Sequence, residues 1–212
     1  MAQVRELYLT AAASAAELIA TPQVAAAWEK PSALSKLDVQ GLAGHLAAQI
    51  FFVPQMLAAP ASEEEVISIH EYYARASWIG SDLDDEFNTG IRDGGRKLAA
   101  EGPAALAAEA RAAIEKLRTD LPGASPRPVR RSSWGAFALS LDDFVTSRLL
   151  ELVVHSDDLA FSVGAPTPEL PGEATETVVD LLSRIALRRH GATNVLRALS
   201  RAERAPSSIS AL

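Results

Sequence analysis

The stretch from Leu141 to Phe161 sets the strictest condition on any fold this chain adopts. Phe144, Val145, Leu149, Leu150, Leu152, Val153, Val154 and Leu159 surround nearly the whole circumference of a helix drawn through it. A helix that is apolar on most sides belongs inside a protein. Yet Arg148, Glu151, His155 and Asp158 follow one another at steps of three, four and three residues, which sets them in one polar seam along the buried rod. A buried carboxylate without a partner is costly. The fold must therefore bring a partner to Glu151.

A metal ion is one such partner. Glu151 and His155 stand one helical turn apart, so their side chains leave the same face roughly 6 Å apart along the axis. That spacing suits two ligands of one ion. A third ligand should come from a facing helix, and His45 is the best-placed candidate. It borders the apolar stripe of Leu42, Leu46, Ile50 and Val53, and Gly41 and Gly44 beside it leave room for close helix approach. Facing helices that supply carboxylate and imidazole ligands are an established way to build a metal site in a bundle. The same residues also admit a plainer reading. A lone Glu-x-x-x-His is a weak signal, and a single histidine such as His45 is more often a satisfied core residue than a ligand. His70, next to Glu71 in a charged stretch, reads as a surface residue, and His190, after Arg188 and Arg189, as a partner of a helix C-terminal dipole.

The rest of the chain is also helical in pattern. Val4, Leu7, Ala11, Ala15 and Leu18 predict a helix from about Val4 to Ala20, stopped by Thr21-Pro22. Asp38 is placed to cap a second helix, with Pro54 near its end. Ser62 and Glu65 have capping-box spacing and predict a helix reaching about Ile79. The stretch from Gly80 to Gly95 is polar and glycine-containing and shows no boundaries. Pro103 opens a helix to about Leu121, and Ala124 to Trp134 reads as a long loop. Gly164, Pro166, Pro168 and Pro171 mark a linker. Beyond it Val178, Leu181, Leu182, Ile185 and Leu187 predict one more helix, with a break at Gly191 and a short helix around Val195 to Arg201. An alanine-rich composition with few β-branched runs points the same way. The expected fold is all-α, a helical bundle over residues 1–165, then a linker and short helical C-terminal extension over residues 166–212.

Charge and composition narrow the function. A formal net charge of -7 repels phosphate backbones and disfavours a nucleic-acid partner. The chain has no cysteine, so any thiol in its chemistry must arrive as cofactor or substrate. The apolar run from Leu46 to Ala61 is interrupted by Gln49, Pro54 and Gln55 and falls short of the ~18 residues of a membrane span. The N-terminal stretch, with Glu6 offsetting Arg5 and Glu17 further on, reads as an amphipathic helix rather than a signal peptide. These features predict no membrane partner and a cytoplasmic location, and they leave a homodimer open.

Two stretches resemble one known family. Leu42-Ala43-Gly44-His45-Leu46-Ala47, preceded by Trp28 and Pro31-Ser32, is similar to the first metal-ligand motif of the mycothiol-dependent maleylpyruvate isomerase N-terminal family. The run from Arg148 to Leu159 is similar to its second motif, R-x-x-E-x-x-x-H-x-x-D-L. The resemblance implies a DinB-like four-helix bundle over about residues 1–165. It implies a divalent metal, expected to be zinc, on His45, Glu151 and His155, with an open coordination position of the kind catalytic sites keep. Asp158 and Arg148 are then residues that support the ligands. Mycothiol is the implied co-substrate, and an actinobacterial source is implied with it. The expected function is a metal-dependent transferase or isomerase that uses a low-molecular-weight thiol on a small electrophilic substrate. A thiol held by a metal is largely deprotonated at neutral pH, which makes it a nucleophile. The alternatives are a metal-dependent hydrolase, separated by thiol dependence, and a non-enzymatic metal-binding bundle, separated by metal content. The family's isomerase carries a further C-terminal domain that helps shape its substrate site. Only a short helical extension follows the linker here, so no residue of that domain is carried over.

Overall fold

The apolar stripes of the sequence turn inward on one another. The computed structural model describes residues 2–76, 79–80, 82 and 84–212. Among them the helices are α1 (Ala2–Ile19), α2 (Pro22–Ala26), α3 (Val39–Ala58), α4 (Ile69–Arg75), α5 (Glu86–Leu98), α6 (Pro103–Asp120), α7 (Leu141–Val163), α8 (Gly172–His190) and α9 (Ala192–Ser200). The chain is all-α in class, built on a four-helix bundle. Its four long members α1, α3, α6 and α7 form a square in which α1 and α3 each touch both α6 and α7. Arg5 joins the start of α1 to the start of α7 through Asp142 at 2.7 Å, and to the end of α6 through the Leu121 carbonyl at 3.1 Å. Gln40 near the start of α3 reaches the Ala99 carbonyl just before α6. So α1 and α7 run one way, and α3 and α6 the other.

Local chemistry fixes the ends of the two central helices. Asp38 accepts from the Gly41 N–H at 2.8 Å and caps α3, and Ser140 accepts from the Asp143 N–H at 3.0 Å and caps α7. Gly164 ends α7 at φ 68, the left-handed geometry that only glycine adopts without strain. Pro54 lies inside α3, which continues to Ala58.

Four features depart from the sequence expectation. Ser62 caps no helix. Its hydroxyl accepts from the Glu64 N–H, and the following segment pairs edgewise with the chain entering α7, through Ile67 N–H to the Ala138 carbonyl and Ala138 N–H to that of Glu65. The helix cap sits six residues later, at Ser68, whose hydroxyl accepts from the Glu71 N–H at 3.2 Å, while the Glu71 carboxylate accepts from Arg75. The helix it opens ends at Arg75, and residues 77 and 78 of the expected span lie outside the described residues. Second, the expected loop over 124–134 contains a short strand, β1 (Pro128–Val129), antiparallel to β2 (Leu139–Ser140) in the register Val129 to Leu139. Third, part of the unplaced glycine-containing stretch is α5. Gly95 explains why: a Cβ on Gly44 would fall 1.9 Å from the Gly95 carbonyl oxygen, so α3 and α5 cross backbone to backbone. Fourth, α3 is by length and composition apolar enough to cross a membrane, despite Gln49, Pro54 and Gln55; here it packs against α5, α6 and α7 at the centre of the bundle.

The C-terminal helices divide in character. Ala174, Val178, Leu181 and Ile185 of α8 join the same core as the bundle. Leu196 and Leu199 of α9 stay exposed.

Candidate metal centre

The seam on α7 faces α3, and what lies opposite it is polar at the matching positions. His45 sits across from Glu151 and His155, and Gln49, one turn further along α3, sits across from Arg148. Glu151 Oε2 lies 3.4 Å from His45 Nε2 and 3.2 Å from His155 Nε2. The two imidazole rings stand edge to face, at 83° with centroids 4.7 Å apart. One ligating atom from each of the three residues lies within 4.8 Å of the others. A tetrahedral ion bound at ~2.0–2.1 Å separates its nitrogen and oxygen donors by roughly 3.3–3.4 Å. The two edges at Glu151 have that length, so the donor set fits a divalent cation. The trio is reached from outside, because the side chains of His45 and His155 keep 18% and 16% of their exposure.

The neighbours hold the trio in place. Asp158 Oδ2 lies 2.9 Å from His155 Nδ1, which leaves Nε2 turned toward Glu151. A carboxylate behind a histidine in this way fixes its tautomer and ring orientation. One turn on, Ser162 donates to the main-chain carbonyl of Asp158 at 2.6 Å and its hydroxyl accepts from the Ala33 N–H, which ties the segment before α3 to α7. Burial pushes the Glu151 carboxyl up, but hydrogen bonds with His155 and His45 and the charge of Arg148 outweigh it and hold it well below the usual carboxylate range. Burial lowers His45 and Glu151 opposes that only in part. Burial also pushes His155 down, but Asp158 and Glu151 carry it up to about 9. Without a cation the trio is therefore a neutral His45, a carboxylate and an imidazolium.

Arg148 sits where the seam places it but does not pair with Glu151. The spacing of three suggests a pair along one helix. Instead the buried guanidinium crosses to α3, donating to Gln49 Oε1 at 2.5 Å and to Ser147 Oγ at 3.2 Å. Gln49 is the residue that sequence reasoning missed. It counted only as an interruption in an apolar run, although its position four after His45 was the signal. Its Nε2 donates to the His45 carbonyl at 2.8 Å and lies 3.3 Å from His45 Nε2. Also missed was an aromatic wall. Trp134 packs 5.1 Å from Tyr72 and 6.0 Å from Phe144, and stacks on Phe137 at 5.6 Å. Arg131 lies 3.6 Å above Phe52, with burial and the charge of Arg148 lowering it to about 10. His70 is exposed on α4, and His190 ends α8 with Nε2 2.7 Å from the Ser210 carbonyl; neither joins the trio.

The sequence profile of the mycothiol maleylpyruvate isomerase N-terminal domain family matches residues 8–160, a span that holds the whole trio. The chain belongs to that family. The match takes in α2 to α6, two thirds of α1 and nearly all of α7, and ends before α8 and α9. No curated protein and no solved structure matches the chain.

Proposed function

We propose that this family member is a metal-dependent transferase or isomerase that uses a small thiol of the mycothiol type against a small electrophile. His45, Glu151 and His155 would hold the cation, with zinc the expected metal. The single observation that carries the reading is the convergence of these three side chains on one accessible point, in a chain whose family is named for mycothiol chemistry.

A divalent cation bound there supplies Lewis acidity, which lowers the pKa of a thiol or water that joins it. The chain's own residues do the rest. Glu151 offers a carboxylate at any physiological pH, because the groups around it keep it ionised. Asp158 keeps His155 Nε2 aimed at the centre. Tyr72, Trp134 and Phe137 pack together as an aromatic cluster, and Trp134 also touches Phe144 of α7. No cysteine competes as nucleophile, so sulfur comes from the co-substrate.

The test begins with elemental analysis of protein purified without a metal-affinity tag, which should find about one zinc per chain. Turnover of an electrophile is then compared with mycothiol, with glutathione and with no thiol. Thiol-dependent turnover that His155→Ala abolishes and His70→Ala leaves intact is the expected result. Equal turnover without thiol would favour a hydrolase. A metal-free protein that is fully stable and inactive would favour a non-enzymatic bundle.

A further inference from the structure

Gln49 is 1% exposed, and the reason for a carboxamide at that depth lies in how its two ends are used. A guanidinium only donates, so the 2.5 Å contact with Arg148 assigns the oxygen of the amide to that side. The nitrogen must then face His45. One of its hydrogens is taken by the His45 carbonyl at 2.8 Å. The other faces the ring at His45 Nε2, 3.3 Å away. That ring nitrogen is the atom His45 would offer to a cation. Whether Nε2 donates to Glu151 or its lone pair is taken by a cation, the second N–H of Gln49 has no acceptor there, and a buried donor without an acceptor is unfavourable. Arg148 prevents the amide from turning round to escape.

Resting on the proposed cation site, we infer that Gln49 donates its second N–H to the atom that fills the open position of the centre, and so selects an anionic, hydrogen-bond-accepting ligand such as a thiolate sulfur. Gln49 is then a binding residue for the thiol co-substrate. Arg148 positions it, through the amide oxygen, without touching the ligand. This gives the buried Arg148 a purpose beyond packing. It also gives the site a preference for a charged sulfur over a neutral ligand.

The experiment uses the cobalt-loaded protein titrated with 2-mercaptoethanol and followed by the visible and near-ultraviolet bands of the metal. Cobalt affinity is measured separately by competition with a chelator. Gln49→Leu removes the donor but leaves Arg148 facing an apolar group, so it is paired with the double variant Gln49→Leu/Arg148→Met, which leaves no unpaired charge in the core. Both are expected to bind the thiol about tenfold more weakly, or worse, the usual effect of losing a hydrogen bond to a charged group. Thiol affinity is compared at saturating cobalt, so that a change in metal affinity from losing the Arg148 charge near Glu151 does not enter the comparison. Cobalt uptake with unchanged thiol affinity in the double variant would overturn the role of Gln49 alone. Failure of the parent protein to take up cobalt would overturn the reading of the centre, and this inference with it.

Discussion

The α3–α7 interface and the α8–α9 surface break the inside–outside rule in opposite directions. Between α3 and α7, polar groups lie in the core: Gln49, Ser147, Arg148 and Glu151 are all buried. On the C-terminal helices, apolar groups lie outside: Val179 is 52% exposed, Leu196 68% and Leu199 72%. The inner exceptions answer one another atom by atom, from Arg148 through Gln49 to His45 and from Asp158 through His155 to Glu151. The outer ones do not pair atom by atom; Val179 and Leu199 line one open apolar groove with Leu182 and Val195. A directional network inside a packed core tolerates little displacement, whereas an open apolar face tolerates much. The contrast is therefore one of tolerance to change, and it can be broken or sharpened by mutation.

The largest expected effect is at the glycine crossing that backs His45. Gly44→Ala places a Cβ 1.9 Å from the Gly95 carbonyl oxygen, a backbone atom that no rotamer change can move aside. Destabilisation of about 3 kcal/mol or more is expected, at the upper end of overpacking costs, and is read from chemical denaturation. A small change would mean that α5 can lift off α3 freely, and the interior would be as tolerant as the surface.

Next is Asp158→Asn, which keeps the size of the side chain and removes its charge. Partners behind a metal-bound histidine are typically worth 10–100-fold in metal affinity, so zinc should bind about that much more weakly. Chelator competition measures it. An unchanged affinity would show that the 2.9 Å contact with His155 does not tune the centre.

The pH dependence follows from the same contact. His155 titrates at about 9, so below that pH it carries a proton that a cation must displace. Metal affinity should therefore rise with pH, about tenfold per unit, and level off above about 9. Calorimetry in buffers of different ionisation enthalpy should find about one proton released per cation at pH 7. Smallest of all, Leu199→Ser should change stability by no more than about 0.5 kcal/mol, as is usual for exposed positions. A larger loss would mean that the α9 surface is covered in solution.

Much of the bundle is legible in the sequence where one signal dominates. Leu141 begins α7, Asp38 caps α3 and Pro103 opens α6, because caps and first-turn prolines act on local backbone alone. Misreadings arise where tertiary contact decides. Glycines usually weaken helices, so Gly90, Gly94 and Gly95 hid α5; yet Gly95 serves a close helix crossing that only the partner Gly44 explains. Ser62 and Ser68 both carry the capping-box pattern, and only the pairing of residues 65–67 with Ala138 selects the second. The candidate trio was legible through motif spacing. Gln49 was not, because its use depends on Arg148 reaching across from a helix about a hundred residues later.

That separation has a consequence for the birth of the protein. Residues 45 and 151 meet across 106 positions of sequence. At synthesis rates of roughly 5–20 residues per second, α3 leaves the ribosome about 5–20 s before α7 arrives to cover it. During that interval a helix apolar enough to be taken for a membrane span has α5 and α6 to cover it, but its α7 face waits open. The nascent chain thus offers chaperones and targeting factors their clearest hydrophobic signal well before its centre exists.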